Sequence, residues 1–462
     1  MASKEDDNMD KALEKNDLTT GSIPKKLFSF FVPIALGTIF QQLYNTADAF
    51  IVSKYLGTMA LAAVGGSAAT INMWAVNVFC SLAGGASVII AQLRGAKDAE
   101  GVSISTHTAI CFSGICGIVL GVLGFLFTPQ LLVLMKTPDV TMADSIAYLK
   151  YLCLGIPFTM IYNMGSGIMR ATGDSRRPFI YLVVCCLTNI VLDILFIEGF
   201  SMGVEGAAIA TSLSQCISMV LVVISMSRTK DMHRLSFRKL RIDFKMLKKT
   251  LQIGIPSSAN SILNAVTNIM IQVGVNVLGA VAVAGWSIGG KINGYYWGLA
   301  SAMYMSTSNF IGQNYGAGQS ERMKKSVKTG LLLFNGITVG IMLFIFIFGK
   351  MFINSFTDDY AVREMTWRIL LLFLPVFLPW TTMHIFSGTL LGMGDVWGQM
   401  LISGVAVSLF RIIWLKTVFV RYSNIDILSI SYLLSCVVAL AILLPYYFTK
   451  SRKKMENFKP LN

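Results

Sequence analysis

The chain has 462 residues, of which 54% are hydrophobic and 13% charged, with a formal net charge of +14. A soluble domain carries roughly 25% charged residues, so this composition excludes an ordinary soluble enzyme and points to an all-α protein that crosses a membrane many times. The excess of base does not signal nucleic acid, because it gathers in every second loop between apolar runs, where it sets topology.

Residues 1–23 are polar and charged and read as a cytoplasmic tail, not as a short apolar leader. Apolar runs near 20 residues long read as transmembrane helices. Twelve follow, near 27–53, 60–92, 104–127, 145–169, 178–198, 204–227, 250–278, 282–312, 328–350, 365–391, 397–420 and 427–449. Bases follow the even-numbered spans, as with Arg94 and Lys97, Arg170 with Arg176 and Arg177, and Arg322 with Lys324 and Lys325. The densest cluster runs from Arg228 to Lys249, and a last one from Lys450 to Lys454. The intervening loops are poorer in base, as in TDDY (357–360). The positive-inside rule then puts both termini in the cytoplasm. The expected organisation is a six-helix bundle over 24–227, a basic cytoplasmic linker over 228–249, a second bundle over 250–449 and a tail over 450–462.

A duplication supports that division. AQLRGAK (91–97) pairs with GQNYGAG (312–318), and GIMRATGD (167–174) with GTLLGMGD (388–395). Both pairs are offset by 221 positions (91 to 312, 167 to 388). Pro33 with Pro256 and LGTMALAAV (56–64) with LGAVAVAGW (278–286) fall near the same offset. Weak matches at one shared offset indicate a repeat. Because each unit holds six spans, the two run parallel, an arrangement that transporters use. The GMGD stretch (392–395) also fits the GxGD pattern of intramembrane aspartyl proteases. Its degenerate recurrence as ATGD (171–174) argues instead for a Gly that ends one helix and an Asp that caps the next.

The eight cysteines all lie in apolar spans without a CxxC pair, and the three histidines are far apart in sequence. They read as core residues, not as a disulfide framework or a metal centre. Two acids, Asp48 and Asp193, lie inside spans, both in the first half. Intramembrane acids are expensive and mark ion or substrate pathways. At 1.5 Å per residue, Asp48 lies roughly 30 Å along span 1 and Asp193 roughly 22 Å along span 5, both in the outer half of the bilayer. Gln41, Tyr44 and Asn45 on span 1, Asn189 on span 5 and Thr211 on span 6 fall at a similar level. The bland alternative for these polar side chains is a hydrogen-bonded network between packed helices. As an oxygen-rich pocket the group suits H+ or Na+ and not soft metals. The related span of the second half, ILNAVTNIMIQVGV (262–275), has only Asn and Gln. Two intramembrane bases remain. Lys291, with Tyr295, Tyr296 and Trp297 nearby, is a candidate cavity residue, and Arg411 either contributes to the cavity, snorkels or pairs with a helix end.

The stretches PIALGTIFQQLYNTADAFIVSKYLG, AQLRGAK, GIMRATGD and TNIVLDILFI together resemble the multidrug and toxic compound extrusion (MATE) family, in its bacterial DinF/MepA-like branch. The resemblance runs from about residue 24 to 450. It implies two six-helix bundles in a V-shaped architecture, and antiport of organic, mostly cationic compounds against H+ or Na+ by alternating access. It implies a monomer in the bacterial cell membrane that needs no cofactor beyond the coupling ion. The family's cation-site residues fall on Asp48, Asn189, Asp193 and Thr211, the residues that would hold Na+. Some members carry a further acid in span 7, which is lacking here. The alternative is a lipid or oligosaccharide flippase of related fold, a class with a more basic cavity.

Overall fold

The computed structural model describes residues 16–456, so that residues 1–15 and 457–462 of the two expected tails lie outside the described residues. Among the described residues the regular structure is helical throughout, without a strand. Twelve long helices follow one another: α1 Ile23–Gly65, α2 Ser67–Gly95, α3 Ala99–Leu134, α4 Asp139–Ala171, α5 Arg176–Gly199, α6 Val204–Arg228, α7 Phe244–Val277, α8 Ala280–Gly316, α9 Ser320–Phe356, α10 Tyr360–Gly392, α11 Val396–Phe419 and α12 Ile425–Ser451. Ten of them are long and apolar enough to cross a membrane. The other two, α7 and α8, have the length, but residues such as Ser258, Asn260, Asn264 and Thr267 make α7 more polar.

Why the helices hold together follows from their two kinds of surface. On α3, Ile118, Val122 and Leu126 recur every four residues and are exposed, as are Leu343, Ile347 and Met351 on α9. An apolar stripe of that length has no place in water and suits hydrocarbon, where the helix satisfies its own backbone. Inward faces instead carry small residues that let backbones approach. A Cβ on Gly388 would fall 2.7 Å from the Tyr304 carbonyl oxygen, so α10 and α8 can lie this close only with glycine there.

Contacts divide the chain into two compact units. Leu36–Ser258 forms the first; Leu18–Ala35 joins Ala259 onward to form the second. The opening turns of α1 therefore pack with the second unit, where the Phe31 ring lies 5.0 Å from Phe334. The opening turns of α7 pack with the first, where Gly254 lies against Leu82 of α2. These two helix starts are where the observed units differ from lobes cut at 227 and 250. Apolarity in the sequence says that a helix start is buried, not which neighbours bury it.

The repeat is visible in the backbone. Gly57 breaks α1 with φ 87° and ψ 178°, and Gly279 separates α7 from α8 with φ 90° and ψ 176°. Only glycine adopts that conformation without strain. The expected boundary between the first two spans falls at Gly57. In the two Gly-Asp loops, the Asp174 carboxylate accepts from the backbone N–H groups of Arg176 and Arg177 at 3.1 Å each, and Asp395 accepts from Gly398 at 3.3 Å. Both aspartates cap a helix start, as the repeat of the Gly-Asp stretch led one to expect.

The segment between α6 and α7 is docked on the first unit. Arg94 pairs with Asp231. His107 Nε2 accepts from the Ser236 N–H at 3.0 Å while its Nδ1 meets the Ser103 carbonyl at 2.7 Å, and the Thr108 hydroxyl accepts from Asp243 N–H at 3.1 Å. His233 is buried beside Asp231, at 3.6 Å. Burial lowers the His233 imidazole below its ordinary value, against the smaller upward pull of Asp231.

Candidate cation-coupling site

The site lies within the first unit and is assembled from α1, α4, α5 and α6. On α5, Asn189 and Asp193 are one turn apart and share a face; both are completely buried. With the Asn189 amide oriented to pair both of its ends, its nitrogen donates to Asp193 Oδ2 at 2.8 Å. Its oxygen then accepts from the Thr211 hydroxyl at 3.3 Å and from the Thr211 backbone N–H at 3.2 Å. One amide thus ties a carboxylate on α5 to α6. Directly beyond Asp193, Leu195–Gly199 winds as a π-helical turn, a local irregularity that often accompanies functional sites.

From α1, Asp48 brings its carboxyl within hydrogen-bonding reach of that of Asp193. The Oδ1 atoms of both acids are buried without a hydrogen-bond partner. Tyr44, one turn before Asp48, is half-buried beside Asp48 and Thr211. Measured from the helix ends remote from the linker (Gly57, Asp139, Gly199, Val204), the residues Asp48, Tyr148, Asp193 and Thr211 lie about 9–14 Å deep at 1.5 Å per residue.

Of the residues expected at this level, Asp48, Tyr44, Asn189, Asp193 and Thr211 come together. Gln41 and Asn45 do not: both are exposed on α1. Around α1, Asn45 is turned about 60° from Asp48 on the side away from Tyr44, which takes it out of the cluster, while Gln41 shares the face of Asp48 but stands about 10 Å from it along the axis. Lys291 and Tyr295 belong to the second unit and are exposed, with the Lys291 ammonium 5.7 Å from the centre of the Phe356 ring. Arg411 neither snorkels nor pairs with a helix end. It is buried in the second unit, 3% exposed, with its guanidinium 3.9 Å above the Tyr432 ring. Stacking on an aromatic face replaces part of the lost hydration.

The MatE family model matches residues 33–195 and again residues 256–415. The chain belongs to the MatE family. Two matches in one chain fit the duplication seen in its sequence and in its glycine corners. The probable multidrug resistance protein YoeA of Bacillus subtilis (strain 168) is 28% identical over 94% of this chain and 95% of its own length. The multidrug export protein MepA of Staphylococcus aureus (strain bovine RF122 / ET3-1) is 24% identical over 75% of this chain and 76% of its own. A solved MOP superfamily transporter from Pyrococcus furiosus superposes with a TM-score of 0.87 over 96% of this chain and 98% of that one, at 23% identity, a likeness of fold. This MatE chain is a membrane protein with a transporter's role.

One residue of the candidate site was not among those expected from the sequence. Tyr148 of α4 is buried and faces both Asp48 and Asp193. Its depth was available, since it lies nine residues after Asp139 at the start of α4 (139 to 148). A tyrosine in a span, however, gives none of the cost signal that singles out an acid, so only the packing of α4 against α5 and α6 reveals it.

Proposed function

We propose that this MatE transporter exports organic, mostly cationic compounds across the bacterial cell membrane in exchange for H+ or Na+, by alternating access. The observation that carries this reading is the facing pair of carboxyls, Asp48 and Asp193, inside a membrane-crossing bundle. Two carboxyls in contact away from water cannot both remain charged unless a proton or a cation joins them. A conformation that brings them together therefore binds the coupling cation better than one that parts them. Such a difference in affinity is what lets a gradient drive a conformational change. Asn189 and Thr211 carry the effect from the acids to α6, and Tyr44 carries it along α1. The oxygens of Asp48, Asn189, Asp193 and Thr211 would hold Na+; a proton needs only the carboxyl pair.

The basic loops support a topology with the 229–243 segment and both termini in the cytoplasm. The chain works as a monomer on small organic substrates, without nucleic acid or a resident cofactor, and does no covalent chemistry. The test is Asp48→Asn in proteoliposomes, with proton and sodium gradients imposed separately. Asparagine keeps the size and the hydrogen bonding but cannot titrate. The expected result is a folded protein with no gradient-driven efflux of a cationic dye. Efflux at the wild-type rate would sink the coupling role, and the gradient that drives the wild type identifies the ion.

A further inference from the structure

At the 221-position offset of the repeat, Phe410 stands where Asn189 does, Trp414 where Asp193 does and Tyr432 where Thr211 does (189 to 410, 193 to 414, 211 to 432). The chemistry at this place is inverted in the second unit. Where the first unit has a buried acid, α11 has aromatic residues and a buried base. Phe410 stacks on Trp414 at 5.8 Å, and Trp414 donates to the Ile427 carbonyl at 2.8 Å. Next to Phe410 comes Arg411, 3% exposed. Its Nε donates to the Ser435 hydroxyl at 2.9 Å, its plane lies 3.9 Å from the Tyr432 ring and 5.7 Å from the Trp380 ring, and its Nη2 meets no acceptor.

A buried guanidinium normally comes with a carboxylate, because an uncompensated charge away from water is costly. Among the described residues Arg411 has no such partner: the groups around it are Ser435, Tyr432, Trp380 and Cys436. A second, independent feature marks the same place. On either side of Arg411, α11 winds as π-helix, over Met400–Ala406 and over Leu415–Phe419, where the regular helical bonding is interrupted. Tyr432 and Trp380 are half-buried, so the cluster reaches the surface of the unit through its two aromatic rings.

We infer that Arg411 anchors an anion subsite, in which its free Nη2 edge takes a carboxylate or phosphate carried by a planar aromatic substrate. Arginine suits this task because its planar fork pairs with such groups while its face stays stacked. Tyr432 and Trp380 offer rings against which the rest of the substrate stacks. The inference rests on the transport reading, and it sharpens the substrate class from organic cations to compounds that also carry an acidic group.

The experiment uses the purified full chain and a matched pair of fluorescent probes, a zwitterionic xanthene dye with a free carboxylate and its methyl ester. Binding is read by fluorescence anisotropy in chloride-free gluconate buffer, so that chloride cannot occupy the site. The wild type should bind the carboxylate dye about tenfold or more tightly than the ester, the size expected of a charge-assisted hydrogen bond. Arg411→Gln should abolish that preference by weakening the carboxylate dye alone, and Arg411→Lys should keep part of it. A thermal melt checks that each variant is folded. Equal binding of both dyes by the wild type overturns the inference, and so does a preference that survives in Arg411→Gln. Where Arg411→Gln does not fold, the wild-type comparison and Arg411→Lys still decide: a preference lost in a folded Arg411→Lys, or absent from the wild type, overturns it. Export of the dyes from liposomes is measured separately. A preference in binding without export would count against the transport reading and leave the subsite standing.

Discussion

The two units share a backbone plan and differ in what they bury. Gly57 and Gly279 turn the chain with the same dihedral angles, and Asp174 and Asp395 cap helices at corresponding corners. Yet α5 and α6 hold Asn189, Asp193 and Thr211 in one hydrogen-bonded cluster, while α11 and α12 hold Trp414, Arg411 and Tyr432. A second buried polar cluster of that unit is built from hydroxyl side chains alone. The Tyr296 hydroxyl donates to the Phe377 carbonyl at 2.7 Å and lies 3.0 Å from Thr381, which lies 2.8 Å from Thr338. The corners are constrained by backbone conformation and close packing, which tolerate few residues, so both copies keep them. The interior chemistry is constrained only by the need for a partner, so each copy has met that need differently.

The largest expected effect separates the two units directly. Asp193→Asn should abolish gradient-driven dye efflux in proteoliposomes, whereas Asn268→Ala, on the exposed side of α7, should leave the rate near that of the wild type at matched expression. Equal losses would mean that coupling is shared between the units. A smaller effect is expected at Tyr148. Tyr148→Phe removes one hydroxyl facing the acids and should shift the pH or sodium midpoint of efflux several-fold without stopping it, an effect of about 1 kcal/mol. An unchanged midpoint would confine Tyr148 to packing.

Trp414→Phe at the position corresponding to Asp193 removes the donor to the Ile427 carbonyl. The melt should report a loss of about 1 kcal/mol, with the ion dependence of efflux unchanged. A changed ion dependence would give the second unit a part in coupling. The smallest effect concerns the docked segment. The folded-state value of His233 is depressed, so the unfastened segment binds the proton more readily than the docked one. Stability from docking is therefore present above the ordinary imidazole value of 6.5 and lost as the pH falls through the folded value. Amide protection over 230–240, corrected for the intrinsic pH dependence of exchange, should fall as the pH drops below 6.5 toward the folded value, and His233→Gln should flatten the response. Protection that does not change with pH would show that His233 takes no part in holding the segment, which leaves the Arg94–Asp231 pair.

The residues themselves determined a good deal of this protein. Twelve apolar runs, the repeat offset and the cost of burying Asp48 and Asp193 in hydrocarbon follow from composition and period, because a lipid solvent penalises each charge strongly enough to be read one residue at a time. The level at which Asp48, Asn189, Asp193 and Thr211 meet followed from the rise of a helix. What the residues could not decide was lateral: which face of α1 turns inward, leaving Asn45 out while admitting Tyr44, and which unit buries the opening turns of α1 and α7. Tyr148 and the aromatic setting of Arg411 also belong to this class. They depend on contacts between helices far apart in sequence, and in hydrocarbon those contacts are chosen by close packing and small residues, which leave only a faint trace in any single span.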